Sequence, residues 1–210
     1  MAAVIRAVTE PPPVADAALI ERSWREPDRF AEIFDRYYGE VHGYAARRLG
    51  GGGLADDIAA ETFLIAFDRR RSYDVTRPDA RPWLYGIASN LISRHRRAEV
   101  RQYRALARVG GADSPEGPTD GLAERVSVRL DAEALRGRLA AALAEIADAD
   151  RDVLLLVAWA QLSCEEAAQA LGIPAGTARS RLHRARKKTR AALGGEDPTR
   201  TGEDHDRWTT

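Results

Sequence analysis

Residues 177–193 read TARSRLHRARKKTRAAL, with seven Lys or Arg and no acid. Wound at about 100° per residue, the stretch puts Ala178, Leu182, Ala185, Thr189 and Leu193 on one narrow side of a helix. Gly176, Ser180, His183, Arg184 and Lys187 fall on the other. Such a helix packs on a core with its small apolar stripe and offers its basic face to something anionic.

The residues just upstream say what kind of helix it is. Ser163-Cys164-Glu165-Glu166 has capping-box spacing, in which the Ser hydroxyl accepts from the third amide and the Glu returns to the cap amide. The helix starting there carries Ala167, Ala168 and Leu171 inward and stops at Gly172, which tolerates the left-handed conformation common after a helix end. Ile173 plugs the corner, and Pro174 suits the first turn of the next helix, where its missing amide proton has no helical partner. A short helix, a Gly-containing turn and a basic second helix make a helix-turn-helix, whose second helix enters the DNA major groove. A solvated basic helix on an all-α domain is the plainer alternative. Cap, turn and charge sign agree on the first.

Formal charge over the 210 residues is zero, with 32 basic and 32 acidic residues, but the signs are segregated. Residues 69–108 carry 11 basic and 3 acidic residues, and 177–195 carry 7 and 0. Residues 1–68 and 109–176 are acidic, as is the tail from 196. Two separate basic blocks suggest two nucleic-acid contacts. Nearly all the cations are Arg, which suits bidentate contacts to phosphate and guanine, although genomic bias also produces an Arg-rich, Ala-rich chain.

A single cysteine, Cys164, excludes an internal disulfide and a Cys-based zinc site. The first residues lack a secretory pattern, and the longest apolar run, Val153 to Ala160, is far below the ~20 residues that span a bilayer. A cytoplasmic protein with no membrane contact is expected.

In chain order, residues 1–14 end in three prolines and form a disordered lead. Residues 15–49 are helical, with Phe30, Ile33, Phe34, Tyr37, Tyr38, Val41, Tyr44 and Ala45 recurring at three- and four-residue steps. Four glycines, 50–53, end that helix. A second helix covers 54–70, a loop covers 72–82, and a third long helix runs from Trp83 to about Arg108, turning basic after Ser93. Residues 110–121 have no periodicity and read as a flexible linker. Helical patterning resumes at 123–147 and 150–161. The fold class is therefore all-α: two small helical domains, 15–108 and 135–193, joined by a linker at 109–134, with a disordered acidic tail at 194–210.

The stretch LADDIAAETFLIAF at 54–67, followed after a loop by WLYGIASN at 83–90 and a basic RHRR at 94–97, resembles the polymerase-binding and promoter-melting region of extracytoplasmic-function sigma factors. Residues 162–186, LSCEEAAQALGIPAGTARSRLHRAR, resemble their C-terminal helix-turn-helix. The resemblance covers about 28–108 and 135–193, in the family's order. Ala60 stands where the family usually has Gln, Ser89 where Arg is frequent, and Pro174 at a position often held by Ser.

The resemblance implies a transcription initiation factor, not an enzyme, that needs no cofactor. Its partners would be core RNA polymerase, through the largest-subunit clamp and the flap, promoter DNA in duplex and single-stranded form, and in some cases an anti-sigma factor. Asp57 and Glu61, one turn apart, form an acidic patch that can pair with basic groups on the clamp, and Phe63 completes this polymerase-binding set. The loop before Trp83, together with Asn90, is implied to hold a flipped base of the minus-ten element, with Arg94, Arg96 and Arg97 holding the backbone. Trp83 is equally suited to core or platform. At the minus-thirty-five element Ser180, His183 and Arg184 are placed to read bases, and Thr177, Arg181, Lys187 and Lys188 complete the contact set.

Two other readings fit less. Asp56, Asp57 and Glu61 as a metal-binding cluster would need a second acidic motif across a cavity. The histidines, at 42, 95, 183 and 205, include no i,i+4 ligand pair. A helix-turn-helix regulator acting without core polymerase explains the C-terminal half but leaves the basic block at 94–108 unexplained.

Overall fold

The computed structural model describes residues 14–109 and 123–194, with side chains from 132 onward in the second stretch. The lead up to residue 13, the connection at 110–122 and the tail from 195 lie outside the described residues. No strand occurs among those described.

The first group of helices comprises α1 (Asp16–Ser23), α2 (Ala31–Leu49), α3 (Gly53–Arg69), α4 (Arg81–Arg94) and α5 (Arg96–Val109). Two expected helices are broken. Residues 15–49 split into α1, a 3-10 turn at Pro27–Phe30 and α2, because Pro27 has no amide proton with which to continue α1. The single helix expected from Trp83 to Arg108 is interrupted at His95, where the backbone leaves helical geometry and the His95 amide donates to the Ile92 carbonyl at 2.8 Å. The break redirects α5 so that Glu99 and Tyr103 turn inward. Ile33, Val41 and Tyr44 of α2, Ile58 and Phe63 of α3, and Leu84, Leu91 and Ile92 of α4 form the core.

The second group comprises α6 (Ala123–Glu145), α7 (Asp148–Ala158), α8 (Cys164–Ala170) and α9 (Ala175–Ala192). Helix α6 starts at Ala123 and so runs through the second half of the stretch assigned to the linker. Val153 to Leu156 are buried, as expected for the centre of a core.

The two groups meet along a continuous seam. Helix α6 lies on α5 and also touches α9, while α8 sits on α4. At that second contact the helices nearly touch backbone to backbone, since a Cβ at Gly86 would collide with the carbonyl oxygen of Ala170. Between them lies a cluster of buried charge. Arg48 donates to Glu99 and to Asp152, both at 2.6 Å, and Arg151 donates to Glu99 at 3.0 Å and to Asp148 at 2.6 Å. Burial works against the Arg48 cation, but Tyr44, Glu99 and Asp152 outweigh it and raise its pKa, keeping the group protonated.

Candidate nucleic-acid interfaces

Helix α8 carries the expected capping box: the Ser163 hydroxyl accepts from the Glu166 amide at 3.2 Å, and the Ser163 amide donates to the Glu166 carboxylate at 2.7 Å. Gly172 then takes a φ of 62°, which a side chain would strain. Pro174 serves as the N-cap residue of α9, one position earlier than expected, with extended backbone. The five residues of the expected stripe, Ala178, Leu182, Ala185, Thr189 and Leu193, are all buried, and Gly176, Ser180, His183, Arg184 and Lys187 are all exposed. Thr177 and Arg181 are half-buried at the edges of that face.

Several of these side chains already have partners. The Ser180 hydroxyl donates to the Gly176 carbonyl at 2.9 Å and keeps its lone pairs free to accept. Lys188 reaches the carbonyl of Glu145 at 3.4 Å. Arg184 forms a two-pronged pair with Asp150. Arg179 pairs with Glu165 at 2.6 Å, tying α9 to α8.

A second site lies between the loop after α3 and the face of α4. Its cleft, about 350 Å³, is lined by Tyr73, Arg77, Trp83 and Asn90 from the first domain and by Gln169 and Ala170 of α8. Asn90 is exposed; Trp83 is half-buried with its ring 4.9 Å from that of Tyr73. The loop is built, not slack. The Tyr73 hydroxyl donates to the carbonyls of Arg77 and Asp79 at 2.7 and 3.1 Å. Asp74 accepts from the Thr76 hydroxyl and Arg77, and these bonds hold its carboxyl below the usual range. Buried Asp16 of α1 accepts from Arg36, from the Tyr37 hydroxyl at 2.6 Å and from the Ala80 amide at 2.9 Å, which pins the end of the loop. Ser89, where an Arg is frequent in the family, is buried against the Tyr44 hydroxyl at 3.1 Å.

The expected arginines diverge. Arg94 pairs with Glu61 at 3.6 Å, and Arg96 turns to Asp148 at 2.8 Å across the seam. Arg97 is exposed and lines up with Arg101, Arg104 and Arg108 along one side of α5. Sequence reasoning named the block but not Arg101, Arg104 and Arg108, although their three- and four-residue steps from Arg97 were the signal that could have found them.

On α3, Asp56, Asp57, Ala60, Glu61 and Leu64 share the exposed side. Phe63 lies beneath it at 4% exposure, packed edge-on against Phe34 at 5.1 Å, whereas Leu64 is 67% exposed. The acids do not converge as a metal cluster would require, since Asp56 pairs with His42 at 2.9 Å and Glu61 with Arg94. Among the described residues no group of His, Cys, Asp or Glu is arranged to hold a metal, and no helix is long and apolar enough to cross a membrane.

The family model for Sigma-70 region 2 matches residues 33–102, and that for Sigma-70 region 4 matches 136–189. The chain is 32% identical over 173 residues to the ECF RNA polymerase sigma factor SigW of Bacillus subtilis, spanning 80% of this chain and 90% of SigW. It is 31% identical over 161 residues to SigL of Mycobacterium tuberculosis, spanning 77% and 86% of the two chains. Among solved structures its fold is similar to CnrH bound to the cytosolic domain of CnrY, at a TM-score of 0.58 with 24% identity, covering 86% of this chain and 98% of that one. A sigma factor RpoE bound to the anti-sigma factor NepR, from Bartonella quintana, gives 0.53 with 20% identity and coverages of 80% and 98%. Two matched regions in the family's order, together with relatives more than 30% identical over most of their length, make this chain a member of the extracytoplasmic-function sigma factors, which direct bacterial RNA polymerase to promoters.

Proposed function

We propose that the two basic surfaces divide promoter recognition between them. Residues 15–108 hold core polymerase and the minus-ten element; residues 135–193 read the minus-thirty-five element as duplex. On α3 the exposed face of Asp57, Ala60, Glu61 and Leu64 docks on the polymerase clamp, with Phe63 stiffening it from below. The cleft bearing Asn90 takes an unpaired base, Trp83 and Tyr73 offer ring faces for stacking, and the Arg97 to Arg108 side of α5 follows the backbone. On α9, His183 and Arg184 face base edges, Ser180 accepts, and Lys187, Lys188, Thr177 and Arg181 border the groove. The protein acts by binding, without covalent chemistry, in the cytoplasm where polymerase works. An anti-sigma partner fits as well, since the solved complexes of CnrH and RpoE pair that fold with CnrY and NepR.

The observation that carries this reading is the presence in one chain of an ordered cleft beside Asn90 of α4 and of a basic helix, α9, with a fully buried opposite stripe. Run-off transcription with reconstituted holoenzyme tests it. Asn90→Ala should slow permanganate-detected melting while leaving closed-complex binding intact, and equal loss of both would refute the base-capture role. Footprinting with and without core polymerase separates this reading from an independent regulator, which would protect DNA alone.

A further inference from the structure

Helix α7 opens with three acids at alternate positions, and each pairs with arginine. Asp148 and Asp152, one turn apart, face the first domain, where Arg96 donates to Asp148 at 2.8 Å and Arg48 to Asp152 at 2.6 Å. Asp150 lies on the other side of α7 and faces α9. There Nε and Nη2 of Arg184 donate to its two carboxylate oxygens at 2.9 and 2.7 Å. The Asp150 side chain is 11% exposed, whereas that of Arg184 is 56% exposed. The carboxylate is covered and the guanidinium is not.

A guanidinium is a rigid planar fork with five N–H donors. The pair with Asp150 occupies the edge formed by Nε and Nη2. The adjoining edge, formed by the two Nη groups, makes no hydrogen bond among the described residues, and the carboxylate fixes the plane in which it lies. Two parallel N–H groups in one plane match the O6 and N7 acceptors of guanine in the major groove. We propose that Asp150 is a positioning residue for duplex recognition: it locks Arg184 with its free edge outward, so that Arg184 discriminates guanine and does not act as a mobile cation for any phosphate. An exposed arginine that must order itself on binding loses rotamer freedom at that moment, and here the loss is taken during folding. The inference rests on the reading of Arg184 as base-facing.

The test uses holoenzyme reconstituted from the full chain and core polymerase, with a promoter library randomised through the minus-thirty-five region. Arg184→Ala should flatten preference at one or two positions. Asp150→Asn should lower the guanine preference at those same positions by roughly fivefold or more, with other positions and the minus-ten preference unchanged. The double variant should match Arg184→Ala alone, because Asp150 acts only through Arg184. Asp150→Glu, which keeps the charge, should keep guanine as the preferred base. The proposal is overturned if Asp150→Asn leaves the guanine preference intact, if it strengthens binding to all sequences alike, or if the double variant loses more than Arg184→Ala. A consensus left unchanged by Arg184→Ala overturns the base-facing reading itself, a distinct result from one in which Arg184→Ala flattens a position that Asp150→Asn leaves sharp.

Discussion

On α7, Val153, Leu154, Leu155 and Leu156 are buried in the apolar core. One turn earlier on the same helix, Asp148, Arg151 and Asp152 reach across to Arg48, Arg96 and Glu99 of the first. The two stretches hold different things together. Parting the leucines would return apolar surface to water at about 25 cal/mol per Å², so that contact ends only when the domain unfolds. The charged contact behaves otherwise, because each side keeps an internal pair when the domains separate: Arg48 with Glu99 in the first, Arg151 with Asp148 in the second. The first side, with two cations and one anion, is positive; the second, with two anions and one cation, is negative. A buried ion pair gives little net stability because desolvation offsets the attraction, and water recovers that desolvation on opening. The seam closes specifically and opens without stranding a lone buried charge.

The largest effect should come from the apolar side. Leu155→Ala should lower the unfolding free energy by about 2–5 kcal/mol in urea titrations followed by circular dichroism; a loss below about 1 kcal/mol would remove the distinction. Asp152→Ala strips the seam of a partner to Arg48 and to Arg96. Here helicity should persist while closure weakens by about 1.5–3 kcal/mol, the range for hydrogen bonds to charged groups, visible as a larger radius of gyration in small-angle scattering. Unchanged dimensions with a core-like drop in stability would mean that the seam is simply more core.

Smaller still is Gly86→Ala, whose methyl meets a backbone carbonyl that cannot rotate away. Faster amide exchange in α8 without loss of helicity is the expected result. Gly43→Ala is the control: nothing lies within 4 Å of a Cβ there, so it should stabilise α2 by about 0.5–1 kcal/mol. The smallest effect concerns pH. Burial raises the Asp148 carboxyl, but the Arg96 hydrogen bond and the charges of Arg151 and Arg96 outweigh this and hold it below its ordinary 3.8. A lowered carboxylate contributes stability above its unfolded value and loses it as pH falls through the folded one. Scattering profiles should therefore be superimposable from pH 5 to pH 8, and a change within that window would point to a different titrating group.

Much of the second domain was legible because its signals are local. The Ser163 to Glu166 box closes over three residues and the α9 stripe repeats every three or four, so both survive without tertiary knowledge. The first domain yielded less. Helix α3 is apolar on most sides at FLIAF, so spacing could not decide whether Phe63 or Leu64 faces solvent. Asp16 holds the loop from 64 residues away at Ala80, and Arg48 meets Asp152 across 104. Neither partner can be inferred from a charged residue in a helix, whose ordinary place is the surface. The basic block at 94–108 was visible as composition, but its division between seam and exposed stripe depends on the break at His95.

The alternating acids of α7 also fix its azimuth. Each residue turns the chain by about 100°, so one residue inserted between Asp152 and Val153 would rotate the acids by that angle relative to the buried face of Val153 to Leu156 and away from their arginines. Both the docking of the first domain and the aim of Arg184 depend on that single rotational phase. The spacing from Asp148 to Asp152 is thus held by contacts on both sides of the helix.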